Sequence, residues 1–215
     1  MTVVIKIGGS LIPGHVAALC EAIAHARPRE RVVLVAGGGD IADIVRAYRR
    51  ALDLPGTVTC AMAMLSMDQH AHLLAHLGGF PLFRSLDDLS AAAAPVSVFA
   101  PALEMMETSL EVMQEVERAT SDTVAAIVAG RLGARLLKVT DVDGIYSRDP
   151  RCDPDAEFLE RVFAGDLRHG TSLDARAAEY IAEHGIETTI INGTRPERLA
   201  DHLAGLAVRA TAILP

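Results

Sequence analysis

Short apolar, β-branched runs alternate with helix-length segments along almost the whole chain, and this alternation restricts the fold more than any other feature. The strand-like runs fall at residues 3–7, 31–36, 96–99, 136–142 and 187–191. Helical patterns lie between and after them, at roughly 14–26, 41–53, 60–77, 122–133, 174–184 and 196–204. Strands that alternate with helices pair in parallel and carry helices on both faces of one sheet. The expectation is an α/β protein, a three-layer αβα sandwich with a mainly parallel central sheet. No internal repeat or low-complexity linker divides the 215 residues, half of which are hydrophobic, so one domain over residues 1–215 is expected. The alanines at 91–94 fit a helix end before Pro95, and the stretch 149–155 a loop.

Charge narrows the classes of partner. The net charge is −8 and no basic block appears, which argues against nucleic acid and against an anionic membrane surface. The longest apolar stretches are broken by charge well short of a membrane span. Strand-like residues begin at position 3, so no leader segment is expected. Cys20, Cys60 and Cys152 are scattered, odd in number and in no metal-binding spacing. A cytoplasmic protein with reduced thiols is expected.

The first strand poses a chemical question. In VVIKIGGSL, residues 3–11, Lys6 interrupts a run suited to a strand buried on both faces. An ammonium there is costly unless it meets an anion. The run then stops at Gly8-Gly9-Ser10, where backbone can turn tightly and approach a ligand. The second strand also ends in glycines, Gly37-Gly38-Gly39, before Asp40 and a helix. Ligands of open parallel sheets bind beyond the carboxyl ends of the strands. Helix amides and the positive end of the helix dipole point there too. One such turn is an ordinary tight connection; two of them, with a lysine in the first strand, indicate an anion site. Lysine is otherwise scarce: Lys6 and Lys138 are the two in the chain, and every other basic residue is arginine. A bias towards arginine explains most of that, and a surviving lysine marks a place that needs a compact ammonium.

Other constellations carry less weight. Ser or Asp in Thr120-Ser121-Asp122 suits the N-cap of a helix starting near Thr123. The acids of Thr140-Asp141-Val142-Asp143-Gly144 suit a capped turn, a ribose hydroxyl or a metal. His72 and His76 have i, i+4 spacing, with His70 on the same helix, but solvated histidines are favoured over a metal face. Met62, Met64, Met67, Met105, Met106 and Met113 suit a core or an adaptable pocket lining.

Taken together, IKIGGSL, VLVAGGGD, ATSDTVAA and VTDVDGIYSRDP resemble, in that order, the amino acid kinase superfamily, over nearly the whole chain. The resemblance implies transfer of the γ-phosphoryl of ATP to a small acceptor, with residues to about 115 on the acceptor side and the rest on the nucleotide side. It implies that Lys6 bridges the phosphates, that Asp122 orients Lys6, and that Gly8, Gly9 and Ser10 donate hydrogen bonds. Lys138, Thr140, Asp141, Asp143, Gly144 and Tyr146 would serve the nucleotide, and Mg2+ would arrive on ATP. Gly37, Gly38 and Gly39 would hold an acceptor phosphate. A homo-oligomer is expected.

At subfamily level, GTSLDARAAEYI, INGTRPERLADHLAG and MAMLSMDQHAHLLAHLGGFPLFRSLDDL look like kinases of methanofuran biosynthesis acting on [5-(aminomethyl)furan-3-yl]methyl phosphate. Such an acceptor carries an ammonium, for which Asp68 is the expected partner, with Met64 and Met67 beside the ring and Asn192 and Thr194 shaping the site. Uridylate kinase is the nearest rival; its pattern places an arginine soon after the glycine triplet, where this chain has Asp40-Ile41-Ala42-Asp43. Carbamate and acetylglutamate kinases fit the length and C-terminal motif less well. Molybdenum storage proteins offer a non-enzymatic alternative, against which Lys6 and Asp122 speak.

Overall fold

Strand β1 (Thr2–Ile7) runs through the middle of the sheet in the computed structural model, which describes residues 1–26, 28–108, 120–150, 152–167 and 172–215. Val3, Val4, Ile5 and Ile7 are fully buried, as a β-branched run covered on both faces should be. The chain continues through α1 (Val16–Ala26), β2 (Arg31–Ala36), α2 (Gly39–Leu52), α3 (Gly56–Gly78), β3 (Leu82–Phe83), α4 (Leu86–Ala91), β4 (Val96–Phe99) and α5 (Ala102–Thr108). Then come α6 (Ser121–Arg131), β5 (Arg135–Thr140), β6 (Ile145–Tyr146), β7 (Phe158–Leu159), β8 (Arg161–Phe163), α7 (Ala175–His184), β9 (Thr188–Asn192), α8 (Pro196–Leu203) and β10 (Ala210–Leu214).

Among the described residues the main sheet has eight strands in the order β3-β4-β2-β1-β5-β9-β10-β8, and β9 with β10 is its antiparallel pair. The expected αβα sandwich with a mainly parallel sheet is what the chain forms. From β1 the order proceeds one way through β2 and β4 and the other way through β5 and β9. The topology therefore switches direction between β1 and β5, where an open sheet leaves a crevice beyond its strand ends.

Alternation along β1 sorts its side chains between two cores. Val3, Ile5 and Ile7 pack with Leu19 and Ile23 of α1 and Leu199 of α8. Val4 packs on the other face with α6 and α7, and Lys6 is on that side. Helix α6 is buried on all sides from Asp122 to Ala129, which suits its alanine- and valine-rich sequence without a polar stripe.

Several boundaries differ from expectation. Helix α6 starts at Ser121 rather than near Thr123, because Thr120 is the N-cap: its Oγ1 accepts the Asp122 amide at 3.1 Å. Asp122 is thereby freed from capping. Strand β5 ends at Thr140, not 142; the Thr140 carbonyl accepts Gly193 N at 2.7 Å and the chain turns away. Elements β3, β6, β7, β8, β10, α4 and α5 lack a sequence period long enough to announce them. Met113, Gly170 and Thr171 lie outside the described residues. No described helix is long and apolar enough to cross a membrane.

The two glycine turns are packed backbone to backbone. A Cβ on Gly37 would stand 2.6 Å from Gly9 N, and one on Gly9 would stand 2.6 Å from Gly39 Cα. Gly39 itself has φ of 51°, a left-handed conformation that favours glycine. We predict that Gly9→Ala lowers the unfolding free energy by about 1–3 kcal/mol, the usual cost of forcing a methyl into packed surroundings. Urea denaturation would show it; an unchanged midpoint would mean that the turns can part freely.

Candidate active site

Parallel register brings the two lysines of the chain together. Lys6 of β1 pairs with Lys138 of β5, so neighbouring strands present them from the same face. The first turn of α6 passes over that face and supplies one carboxylate. Lys6 Nζ lies 2.7 Å from Asp122 Oδ1, and Lys138 Nζ bonds Asp122 Oδ2. All three side chains are buried. Burial by itself would raise the Asp122 carboxyl, but the Lys6 and Lys138 charges outweigh it and hold the group at about 2. Burial and the Lys6 charge lower the Lys138 ammonium, with partial compensation from Asp122.

The two lysines have different surroundings. Lys138 also donates to the Ser172 carbonyl and is not in contact with the central cavity. Lys6 lines that cavity. One carboxylate between two ammoniums leaves a net positive charge, and Lys6 is the group that can offer it to a ligand.

The cavity has a volume of about 420 Å³ and opens above the carboxyl ends of β1, β2 and β5. Gly8, Gly9, Ser10, Gly38, Gly39 and Thr140 form its polar part. The first amides of α2, like those of any helix, have no intrahelical acceptor, and no side chain of the N-cap Gly38 accepts from them, so they face an anion favourably. Thr120 and Ser121 bring the start of α6 to the same space. An apolar wall is made by Cys60, Ala63, Met64 and Met67 of α3 with Val124 of α6. Burial pushes the Cys60 thiol up to about 11, so it remains neutral and adds apolar surface.

Other expected site residues are held elsewhere. Gly37 is behind the cavity, its carbonyl 2.7 Å from His70 Nδ1. His70 is therefore buried and engaged rather than solvated, whereas His72 and His76 are exposed. Asp68 does not line the cavity; its Oδ1 accepts the Ala102 amide at 3.0 Å, at the start of α5. Burial raises the Asp68 carboxyl, with that amide acting in the opposite direction.

Asp141, Asp143, Gly144 and Tyr146 follow β5 towards the β6–β7 hairpin, where Tyr146 meets the edge of Phe158 at 5.3 Å between centroids. Asp143 accepts Asn192 Nδ2 at 2.9 Å and pairs with Arg198 at 2.5 Å and Arg209 at 3.3 Å. Thr194 donates to Asn192 Oδ1 through both its amide and its hydroxyl. Asn192 and Thr194 thus cluster with Asp143, away from Met64 and Met67. The lining also includes Asp40, Asp43 and Arg46, which sequence reasoning did not assign. Their spacing along one helix face was the available signal. No group of three or more His, Cys, Asp or Glu that could hold a metal occurs among the described residues.

A buried cation, free amides and paired glycine turns at a topological switch point define a phosphate-handling α/β enzyme. The sequence pattern of the amino acid kinase family matches residues 1–192, and the chain belongs to that family. It is an ATP-dependent kinase. A [5-(aminomethyl)furan-3-yl]methyl phosphate kinase of Methanocaldococcus jannaschii is 26% identical over 206 residues, covering 94% of this chain and 93% of that protein. A uridylate kinase of Methanothermobacter thermautotrophicus is 32% identical over 224 residues, covering 95% and 96%. The crystal structure of the uridylate kinase of Archaeoglobus fulgidus superposes with a TM-score of 0.76 at 24% identity, over 99% of this chain and 100% of the other.

Two predictions follow from the charge arrangement. Lys6→Ala should keep the fold and slow phosphoryl transfer by about two orders of magnitude or more, roughly 3 kcal/mol, and arginine should not rescue it. Steady-state turnover near wild type in Lys6→Ala would remove this ammonium from the chemistry. For Asp122, the folded carboxyl titrates at about 2 against an ordinary 3.8. Its contribution to stability is therefore present above pH 3.8 and lost as pH falls through about 2. Asp122→Asn, which strands two buried ammoniums, should destabilise by about 3–5 kcal/mol and flatten that part of the acid-denaturation curve. An acid curve unchanged by Asp122→Asn would refute the pairing.

Proposed function

We propose that this kinase transfers the γ-phosphoryl of ATP to a phosphomonoester, [5-(aminomethyl)furan-3-yl]methyl phosphate, forming the diphosphate in the cytoplasm for a methanofuran-type cofactor. The observation that carries the reading is the cavity itself, where a cationic glycine-lined end meets an apolar wall of Cys60, Ala63, Met64, Met67 and Val124. Such a wall suits a small ring that asks for few hydrogen bonds. Uracil and ribose would place amide and hydroxyl groups against this wall, whose own side chains offer them no strong hydrogen-bond partner. The relative from Methanocaldococcus jannaschii supports the same acceptor.

In this reading an oxygen of the acceptor phosphate attacks the γ-phosphorus, the bond to the β–γ bridging oxygen breaks, and ADP leaves. The acceptor is already largely dianionic at neutral pH, so no general base is required; the task is to align two polyanions and neutralise their charge. Lys6 bridges the transferred and donor phosphates. Gly9 and Ser10 donate hydrogen bonds to the donor, whereas Gly8, expected to do the same, lines the cavity with its amide spent on the Val139 carbonyl at 2.8 Å; the Gly38–Gly39 end of α2 holds the acceptor phosphate. Asp122 and Lys138 act as positioning residues. Asp141, Asp143, Gly144 and Tyr146 flank the nucleotide, on the side formed by residues from about 116 onward. Mg2+ would arrive with ATP and offset its charge, held chiefly by phosphates and water rather than by a cluster of side chains. A homo-oligomer is part of the proposal, supported by the exposed Ile44, Tyr48 and Leu52 four residues apart on α2.

Uridylate kinase is the second reading, favoured by the 32% identity to the Methanothermobacter thermautotrophicus protein. The two separate in a direct assay of purified enzyme and ATP against both acceptors. The expected kcat/KM for the furan phosphate exceeds that for UMP by at least roughly a hundredfold, about 2.7 kcal/mol of differential transition-state binding. UMP turning over as well as the furan would overturn the acceptor and leave the kinase standing.

A further inference from the structure

Asp43 and Arg46 line the cavity from α2 and are held by each other. Arg46 Nε donates to Asp43 Oδ1 at 3.1 Å, and its Nη2 bonds the same oxygen. Their side chains are 66% and 58% exposed, and an ion pair this open to water contributes little to stability. A cation is therefore seated on a cavity carboxylate in an arrangement that is easily exchanged.

Position gives the pair its meaning. The acceptor phosphate is proposed to sit at the first amides of α2, beside Gly39. Asp43 is one turn further on, about 6 Å along the helix axis at the usual rise per residue. Met64 and Met67 of the neighbouring α3 line the same cavity. A molecule with a phosphate at one end, one small flat ring, and an ammonium at the other end has the matching order of groups. Asp40, in the first turn, is beside the phosphate seat, and Asp68 is committed to the Ala102 amide outside the cavity.

We propose that Asp43 is the specificity-determining carboxylate that receives the ammonium of the acceptor, and that Arg46 occupies this place until the acceptor arrives. This rests on the acceptor reading above. A bound acceptor covers Asp43 and displaces water from it, so a ligand without a cation leaves that carboxylate either on Arg46 or poorly paired. An amine-bearing acceptor replaces the guanidinium one charge for one.

The test compares kcat/KM for the aminomethyl acceptor and for its counterpart with methyl in place of aminomethyl, at saturating ATP, in wild type, Asp43→Asn and Arg46→Ala. Wild type should prefer the amine by at least about tenfold, and Asp43→Asn should shrink that preference to within about twofold, chiefly through KM. Arg46→Ala should retain the preference. An undiminished preference in Asp43→Asn, or none in wild type, would overturn the proposal. So would loss of the preference in Arg46→Ala, which would make Arg46 rather than Asp43 the discriminating group. Turnover of UMP without turnover of either furan would bring down the acceptor reading as well, whereas furan turnover with the amine preference intact in Asp43→Asn brings down this assignment alone.

Discussion

A single buried carboxylate between two ammoniums supports the rest of the site. Lys6 and Lys138 are register partners on adjacent central strands, and without Asp122 their charges would face one another in a poorly solvated interior. With Asp122 in place, the three groups carry one net positive charge. A second acid would neutralise the site, and the loss of the only one would disrupt it. The arrangement also depends on capping: because Thr120 satisfies the Asp122 amide, the Asp122 side chain is left for the lysines.

The glycine turns provide the other half of the design, through absence of side chains. Gly9, Gly37 and Gly39 meet backbone to backbone, so the turns after β1 and β2 converge on one small region, where the Gly8 and Gly37 amides are spent on Val139 and Ile7 carbonyls and those further along the turns face the cavity. In the proposed reaction the donor and the acceptor are both polyanions, and close amides with one ammonium would let them approach. His70 steadies the same corner from α3 by engaging the Gly37 carbonyl. The histidine belongs to the framework, whereas the methionines one and two turns before it on α3 form the wall that a ring can lie against.

Much of this was visible in the sequence because it is local. The glycine turns, the charged residue in an apolar strand, and the helix periods each occupy a few consecutive residues. Side-chain direction was not legible. Asp68 and Asp43 both sit on helices lining the crevice, yet Asp68 turns to cap α5 while Asp43 reaches the cavity with Arg46. Arg46 is seven residues after Gly39, and Asp40 and Asp43 are the charged residues between them. Two helical turns return its guanidinium to the cavity. Strand β10 was not legible either, since three of its five residues are only partly buried and its partners lie at the far end of the sheet.

By itself the sequence determined the class of fold and the kind of chemistry. Alternating strand and helix periods require a parallel sheet covered on both faces, and a lysine before a glycine turn in a buried strand requires an anion. Tertiary structure decided which groups act together. Lys138 meets Lys6 only because β5 lies beside β1 in that register; a slip of one residue would turn it to the other core. Asp143 joins Asn192, Arg198 and Arg209 because β9, α8 and β10 converge on the turn after β5. Register, helix rotation and strand order depend on how whole surfaces pack, and packing energy is shared among residues far apart in the chain.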